Sequence, residues 1–436
     1  MTTLIPKYYE GATSSVNRPI NLKLGEFISV ADFIPVGTST STTDCSSYFT
    51  AALNAVIANG GGTLWIPYGV YKVNLDWSSQ IIAGGYNPIN IYGNNSILLG
   101  VTGATSLLKI NNPGTGDNWI TSNLSFYDLT WRTESNVCNG GTAVISYAVQ
   151  ILYSSAEWYN CNFQGGSVAA YYSVDCQYSA FYNCSFVCSG AGGVTVTPTN
   201  PCAGMWIQSS YNRTIADQIV IDRCNFGSEP NGLYIQGCGS LKILNSRFQA
   251  CGSAGTAALW IAPFLDGANS ECILIQGCHF EVNAKNDMYL NATTRIVLSN
   301  NLFANSIGGT KSYVVQSYST NQSWYGNDFR TASPPNLYVT GNLGQLNYIG
   351  NDVSPILDVT GASNQQCIIQ DTTTGALDFQ FSQLNLSGYY GRPGIYFANP
   401  VSGGTYLWVS SSGVLRIKSG SAPTSDSDGV AVGSQS

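Results

Sequence analysis

A phenylalanine returns through the middle of the chain at nearly even steps: Phe163, Phe186, Phe226, Phe248, Phe280, Phe303 and Phe329, with Val353 next in the count. The steps are 23, 40, 22, 32, 23, 26 and 24 residues. A unit near 23 residues, with two longer steps, is the signature of a solenoid that carries two insertions. A unit of that size cannot bury its own apolar face, so successive units must stack and share one long core.

The residues before each Phe describe the unit. Three positions back stand Asn160, Asn183, Arg223, Asn245, Gly277, Asn300, Gly326 and Gly350. Asn and Gly tolerate the left-handed backbone region, so this slot reads as a sharp bend between two strands. Five and seven back are apolar pairs, Ile219/Ile221, Leu241/Ile243, Ile273/Ile275 and Ile296/Leu298, alternating as a half-buried strand does. The Cys two before the Phe, in YNCNF (159–163), YNCSF (182–186), DRCNF (222–226) and QGCHF (276–280), is expected to face inward with it. Further upstream lies another short strand, MWIQ at 205–208, LYIQ at 233–236, LWIA at 259–262, MYLN at 288–291 and LYVT at 337–340. Three short strands per unit describe an all-β protein, a parallel β-helix whose crossovers are right-handed.

The ends differ from the repeat. Residues 44–58 carry Phe49, Leu53, Val56 and Ile57 at helical spacing and are followed by Gly60, so a helix is expected to cap the open end of the coil. The expected layout is a neck over 1–35, the coil over 36–354, and an antiparallel β domain over 355–436 for trimerisation or carbohydrate binding.

Composition excludes several functions. A net charge of −7 argues against a nucleic-acid partner, which Lys and Arg must neutralise. No apolar run approaches the roughly 20 residues that span a bilayer, so no membrane partner is expected. The start, MTTLIPKYYEGATSS, lacks the basic flank and apolar core of a signal peptide, which disfavours a bacterial secreted enzyme. Thirteen cysteines and one histidine include no CxxC pair at zinc spacing and leave no room for a His-based metal site or a Ser-His-Asp triad. The thiols are expected to be mostly reduced, buried hydrophobes, and neither metal nor cofactor is expected.

The stretch IPKYYEGATSSVNRPINLKLGEFISVADF, followed by AALNAVIANGGGTLWIPYGVYKV, resembles the neck and helix cap of bacteriophage tailspikes of the pectate-lyase-like β-helix superfamily. The closing LRIKSGSAPTSDSDGVAVGSQS resembles the tail of such spikes. Where relatives commonly read DFGAVGDGVTDDT, this chain has DFIPVGTSTSTTD. The resemblance implies a homotrimer on the virion tail that recognises, and usually degrades, capsular or O-antigen polysaccharide of a bacterial host. It also implies attachment to the phage tail or baseplate through the N-terminus, with the anchoring domain removed or supplied by another protein. It transfers no catalytic residue, because these sit at different places in different spikes.

Candidate site residues come from the repeat itself. With the aliphatics of the upstream strand pointing in, Trp206, Tyr234, Trp260 and Tyr289 form an outward column, one per rung, beside Gln208, Gln236 and Asn291. Exposed aromatics about 4.8 Å apart suit stacking on sugar faces, although the same face could instead pack against a neighbouring subunit. The two insertions flank the strands of Trp206 and Trp260, and loops on a rigid scaffold are where function is grafted. Nine positions before three successive Phe residues stand Asp217, Gly239 and Glu271. Two carboxylates two rungs apart, about 9–10 Å, are near the separation that inverting glycosidases use. Asp266, in an insertion, and Asp287, of the same parity as Tyr289, complete the set of candidate carboxylates. Two other readings remain open: that Asp217 and Glu271 only cap backbone N–H groups, and that His279 is merely a surface histidine. Hydrolysis is the first expectation. The alternatives are β-elimination, with Lys285 or Arg213 and a Tyr, and a spike that binds without cleaving.

Overall fold

The computed structural model describes residues 27–112 (except 86), 123–133, 145–188, 201–209, 216–227, 230–251, 257–304 (except 266 and 285) and 315–330, with shorter pieces at 7–8, 18–19, 336–339, 345–351, 356–358, 366–370, 394–397, 405–409, 414–419 and 429–432. Each rung contributes one strand to each of three parallel sheets. Sheet A holds Tyr147–Leu152, Ala169–Val174, Ala203–Gln208, Asn231–Gln236 and Ala257–Ala262. Sheet B holds Glu157–Tyr159, Ala180–Tyr182, Ile219–Asp222, Leu241–Leu244 and Ser270–Gln276. Sheet C holds Asn162–Gln164, Ser185–Val187, Asn225–Gly227, Arg247–Gln249 and His279–Glu281. The longer strands Asn286–Ser299 and Val315–Tyr325 run without a break from sheet A into sheet B. The fold is the right-handed parallel β-helix expected from the repeat.

The corners are set by residue chemistry. At the bend from B to C, Asn160, Asn183, Arg223, Asn245, Gly277, Asn300, Gly326 and Gly350 all have φ between 49 and 65°. At Gly277 a side chain would also collide with Asn245 Oδ1 of the rung below, 2.7 Å from where its Cβ would lie. A second left-handed corner joins A to B, at Tyr178, Gln218, Cys272, Arg295 and Asn321. No Gly or Asn pattern announces it in four of these five, because neighbouring rungs hold the backbone there.

Inside the coil the counting residues become a column. Phe163, Phe186, Phe226, Phe248, Phe280, Phe303 and Phe329 stack with ring centroids 4.7–5.0 Å apart and nearly parallel planes. That distance is the spacing of adjacent strands, so the ring stack and the hydrogen-bond ladder share one repeat. Val353 lies outside the described residues. Beside the rings run the buried thiols of Cys161, Cys184, Cys224 and Cys278, each donating to backbone carbonyls of its own rung and of a rung below, as Cys184 does to Trp158 and Tyr182. In later rungs the same slot is filled by Asn301, Asn327 and Asn351. Asn301 Nδ2 donates to the Ile275 carbonyl and to Asn327 Oδ1, and Asn327 Nδ2 donates to the Leu298 carbonyl and to Asn351 Oδ1. A buried amide is tolerated here because its neighbours on both rungs satisfy it.

The helix Ser46–Ala58 covers the N-terminal end with Phe49, Ala52, Leu53 and Val56 buried. Parallel pairing extends past the expected coil limits: Phe27–Ser29 pairs with Gly62–Trp65, and Gln366–Gln370 with Gln345–Ile349. The strands Gly394–Phe397, Thr405–Val409, Leu415–Ser419 and Val430–Ala431 form a separate antiparallel sheet. Among the described residues no helix is long and apolar enough to cross a membrane.

Candidate functional site

The outer row of sheet A is aromatic over five successive rungs. Backbone register places Tyr172, Trp206, Tyr234, Trp260 and Tyr289 opposite one another in turn, with Gln150 before them and Gln316 after. Tyr172 belongs to this column although the five strands quoted from the sequence begin only with that of Trp206.

The expectation of open rings needs correction. Trp206 and Tyr234 are only 5% and 1% exposed. Tyr172 lies 4.4 Å from Trp206, and Tyr234 lies 4.4 Å from Trp260, in tilted pairs. Ala169, Ala203 and Ala262 pack beside them in a small satellite core on the outside of the coil. Rings at strand spacing consume one another's faces, which is why a column of aromatics does not automatically offer a stacking platform. The geometry changes at the C-terminal end of the row. Trp260 and Tyr289 meet edge-on at 69°, as do Tyr289 and Tyr318, and all three are only half-buried. An edge-on contact covers one face of one ring, so these half-buried rings keep more open face than the enclosed Trp206 and Tyr234. Tyr318, which sequence reasoning did not single out, sits in the column of Gln208, Gln236 and Asn291, where the alternation predicts polar residues.

Polar groups line the same row. Tyr172 Oη donates to Gln208 Oε1 (2.7 Å), and Gln208 Nε2 donates to Gln236 Oε1 (3.2 Å). Asn286 Nδ2 donates to Gln316 Oε1 (3.2 Å), and Gln316 Nε2 donates to Tyr318 Oη (2.8 Å). The indole N–H groups of Trp206 and Trp260 are enclosed with no hydrogen-bond partner among the described residues. Burial raises the phenol pKa of Tyr234 and Tyr289, so these hydroxyls stay protonated donors well above neutral pH.

The carboxylate column lies at the corner between sheets A and B. The Gly239 N–H donates to the Ala216 carbonyl and the Glu271 N–H to the Cys238 carbonyl, both at 2.8 Å. This backbone register sets Asp217, Gly239 and Glu271 side by side on three rungs. The left-handed residues Gln218 and Cys272 immediately follow the two acids. They reset the strand parity, so both carboxylates are half-buried although the apolar pairs that follow them face in. Asp217 Oδ1 accepts from the Gln218 N–H (2.8 Å), which is the capping contact the corner invites. The segment after Trp260 folds back on this corner through Phe264, which is buried against Gly237. Gly237 has φ 82°, and a Cβ there would lie 2.5 Å from the Phe264 ring.

The outward orientation expected of Asp287 is not what the structure has. Asp287 follows the column of Ala170, Gly204, Gly232 and Ala258 rather than that of Tyr289; it is 0% exposed and accepts from Asn283 Nδ2 at 2.8 Å inside the coil. The strand begins with a local break in alternation, so parity counted back from Tyr289 fails two residues upstream. Asp266, Lys285 and Arg213 lie outside the described residues. His279 is half-buried on sheet C between Arg247 and Leu302, far along the rung from the carboxylate column.

Residues 393–434 match the family model described as capsule depolymerase, over the C-terminal antiparallel sheet and overlapping the stretch from 415 that resembles a spike tail. The structure resembles tailspike protein gp49 from Acinetobacter baumannii bacteriophage Fri1, a capsular polysaccharide depolymerase, at 12% identity over 91% of this chain and 72% of that one (TM-score 0.53). It also resembles the Dettilon tailspike protein gp208 (12% identity, 93% and 78%, TM-score 0.51). A third likeness is to the Streptococcus pneumoniae surface protein and adhesin PfbA (12% identity, 79% and 96%, TM-score 0.50). No curated protein sequence matches the chain. At such identity the likeness is one of fold, and because the fold serves both tailspikes and an adhesin, function has to be argued from the site.

Proposed function

We propose that the protein is a bacteriophage tailspike that recognises a bacterial surface polysaccharide, capsule or O-antigen, and cleaves it by glycosidic hydrolysis. The observation that carries the reading is the register of Asp217 and Glu271, two rungs apart across Gly239 and beside an aromatic row whose faces open at Trp260 and Tyr289. The capsule-depolymerase match and the fold shared with phage spikes support the substrate class. Two rungs correspond to about 9–10 Å, room for a sugar and a water between the carboxyl groups. One carboxyl protonates the leaving glycosidic oxygen. The other takes a proton from a water that attacks the anomeric carbon from the opposite face, which inverts its configuration. Trp260, Tyr289 and the amides of Gln208, Gln236 and Asn291 hold the sugar. The spike acts as a homotrimer carried on the phage tail or baseplate through its N-terminal segment.

The test is incubation with purified capsular polysaccharides, reading new reducing ends, ultraviolet absorbance of unsaturated products, and anomeric configuration by NMR. Reducing ends of inverted configuration, without absorbance, are expected. Absorbing products would make the enzyme a lyase, and binding without cleavage would make the protein a receptor-binding spike.

A further inference from the structure

Sheet B carries a second outward aromatic column, in the N-terminal half. Register aligns Trp65, Tyr92, Tyr127, Tyr159 and Tyr182 on successive rungs. The tyrosine rings are stacked 4.3–5.0 Å apart within 16° of parallel, so only their edges and hydroxyls are presented outward. Two residues earlier on the same strands stand Asn90, Ser125 and Glu157. Between these and the A-to-B corner lies a cleft of about 480 Å³, lined also by Asn123, Ser155 and Tyr178. That volume falls within the range of roughly 300–1,000 Å³ typical of ligand sites.

The lining is selective. Among the described residues it offers amide, hydroxyl and carboxylate groups and neither Lys nor Arg. Glu157 is exposed, and its Oε2 accepts from Tyr159 Oη at 2.8 Å, which orients the carboxylate from the aromatic column. Tyr178 occupies the left-handed corner that other rungs fill with Gln218, Cys272, Arg295 or Asn321. It is 51% exposed and has no ring contact among the described residues, so its face is free where the faces of the column tyrosines are taken. Its N–H donates to the Asp217 carbonyl at 3.0 Å, so the cleft ends one rung short of the carboxylate column.

We infer that this cleft is a second saccharide-binding site, built for a neutral or amino-sugar stretch of polymer and closed to uronates. Tyr178 supplies the stacking face, Asn90 and Ser125 supply hydrogen bonds to ring hydroxyls, and Glu157 accepts from a hydroxyl or pairs with an amino group. A uronate would have to bring its charge beside Glu157 with no cation among the described lining residues to offset it. The inference rests on the reading of the protein as a polysaccharide binder. It adds an anchoring segment that begins one rung, about 5 Å, from Asp217 at Tyr178 and runs away from it through Glu157.

The test is retention of the intact protein on an array of neutral, amino-sugar and uronate-containing oligosaccharides, which needs no turnover. Neutral or amino-sugar probes should be retained, and Tyr178→Ala and Glu157→Gln should each weaken retention by about tenfold or more. Melting temperature controls for folding, since both side chains are exposed. Retention of uronate probes alone, or retention unchanged in both variants, would overturn the assignment. So would a Tyr178→Ala protein that loses its oligomeric state in sedimentation, because the cleft would then be a subunit contact. Failure of the hydrolase reading appears separately, as absence of cleavage by a protein that still binds.

Discussion

At the scale of single residues, the paired acids and the aromatic row make separable predictions. Asp217→Ala and Glu271→Ala should each lower turnover by roughly 10²–10⁴-fold, the usual contribution of a general acid or base, with the melting temperature unchanged in Glu271→Ala and slightly lowered in Asp217→Ala, which also loses the contact to the Gln218 N–H. Full turnover in both variants would remove the pair from the mechanism and leave Asp217 as the corner cap it also is. Trp260 and Trp206 share a column but not an environment. Trp260→Ala should weaken polysaccharide binding, measured by calorimetry, at little cost in stability. Trp206→Ala should destabilise the fold by about 3–5 kcal/mol, because its ring is enclosed between Tyr172 and Tyr234. Sequence alternation told which side chains face outward. It could not tell which rings would close over one another, since that depends on ring tilt between rungs.

At the scale of the element, the buried thiols of the column and of the corner between sheets A and B set a pH dependence. Burial pushes the thiols of Cys176, Cys238 and Cys278 up to about 12 from the ordinary 9.0, and it raises those of Cys184 and Cys224 as well. The folded state therefore keeps its protons where unfolded thiols lose theirs. This stabilisation is complete below 9.0 and is lost as pH rises from there toward 12. The melting temperature of the reduced protein should fall across that window, and Cys176→Ala should make the fall shallower. A melting temperature that rose across the same window would contradict the burial of these thiols. Cys184→Ser, which puts a hydroxyl where the thiol lies against carbonyls and rings, should cost about 1–3 kcal/mol and leave activity intact. The Cys slot was legible because it keeps a fixed distance from the Phe. The corner from A to B was not, because Tyr178, Cys272 and Arg295 carry no intrinsic preference for the left-handed region and are held there by the flanking ladders.

At the scale of the molecule, a solenoid is only as sound as its ends. Phe49 is fully buried on the capping helix and meets Tyr71 edge-on at 5.4 Å. Phe49→Ala should cost about 3–5 kcal/mol and, by loosening the cap, expose strand edges that aggregate on heating, which light scattering during a thermal ramp would record. The homotrimer of the proposed function predicts a sedimenting species of three chains, and a monomer at working concentration would refute it.

What the sequence determined by itself was whatever repeats: the rung length, the inward Phe and Cys columns, the bend at Asn or Gly, the capping helix, and the alignment of Asp217, Gly239 and Glu271. A stacked parallel coil converts distance along the chain into position on a rung, so counting suffices. What only the tertiary structure decided was whatever depends on neighbours across rungs. It buried Trp206 and Tyr234, turned Asp287 inward, opened the faces of Trp260 and Tyr289, and formed a polar cleft at Tyr178 from residues scattered between Asn90 and Tyr178. Each of these follows from side chains meeting at strand spacing, a contact that no single repeat contains.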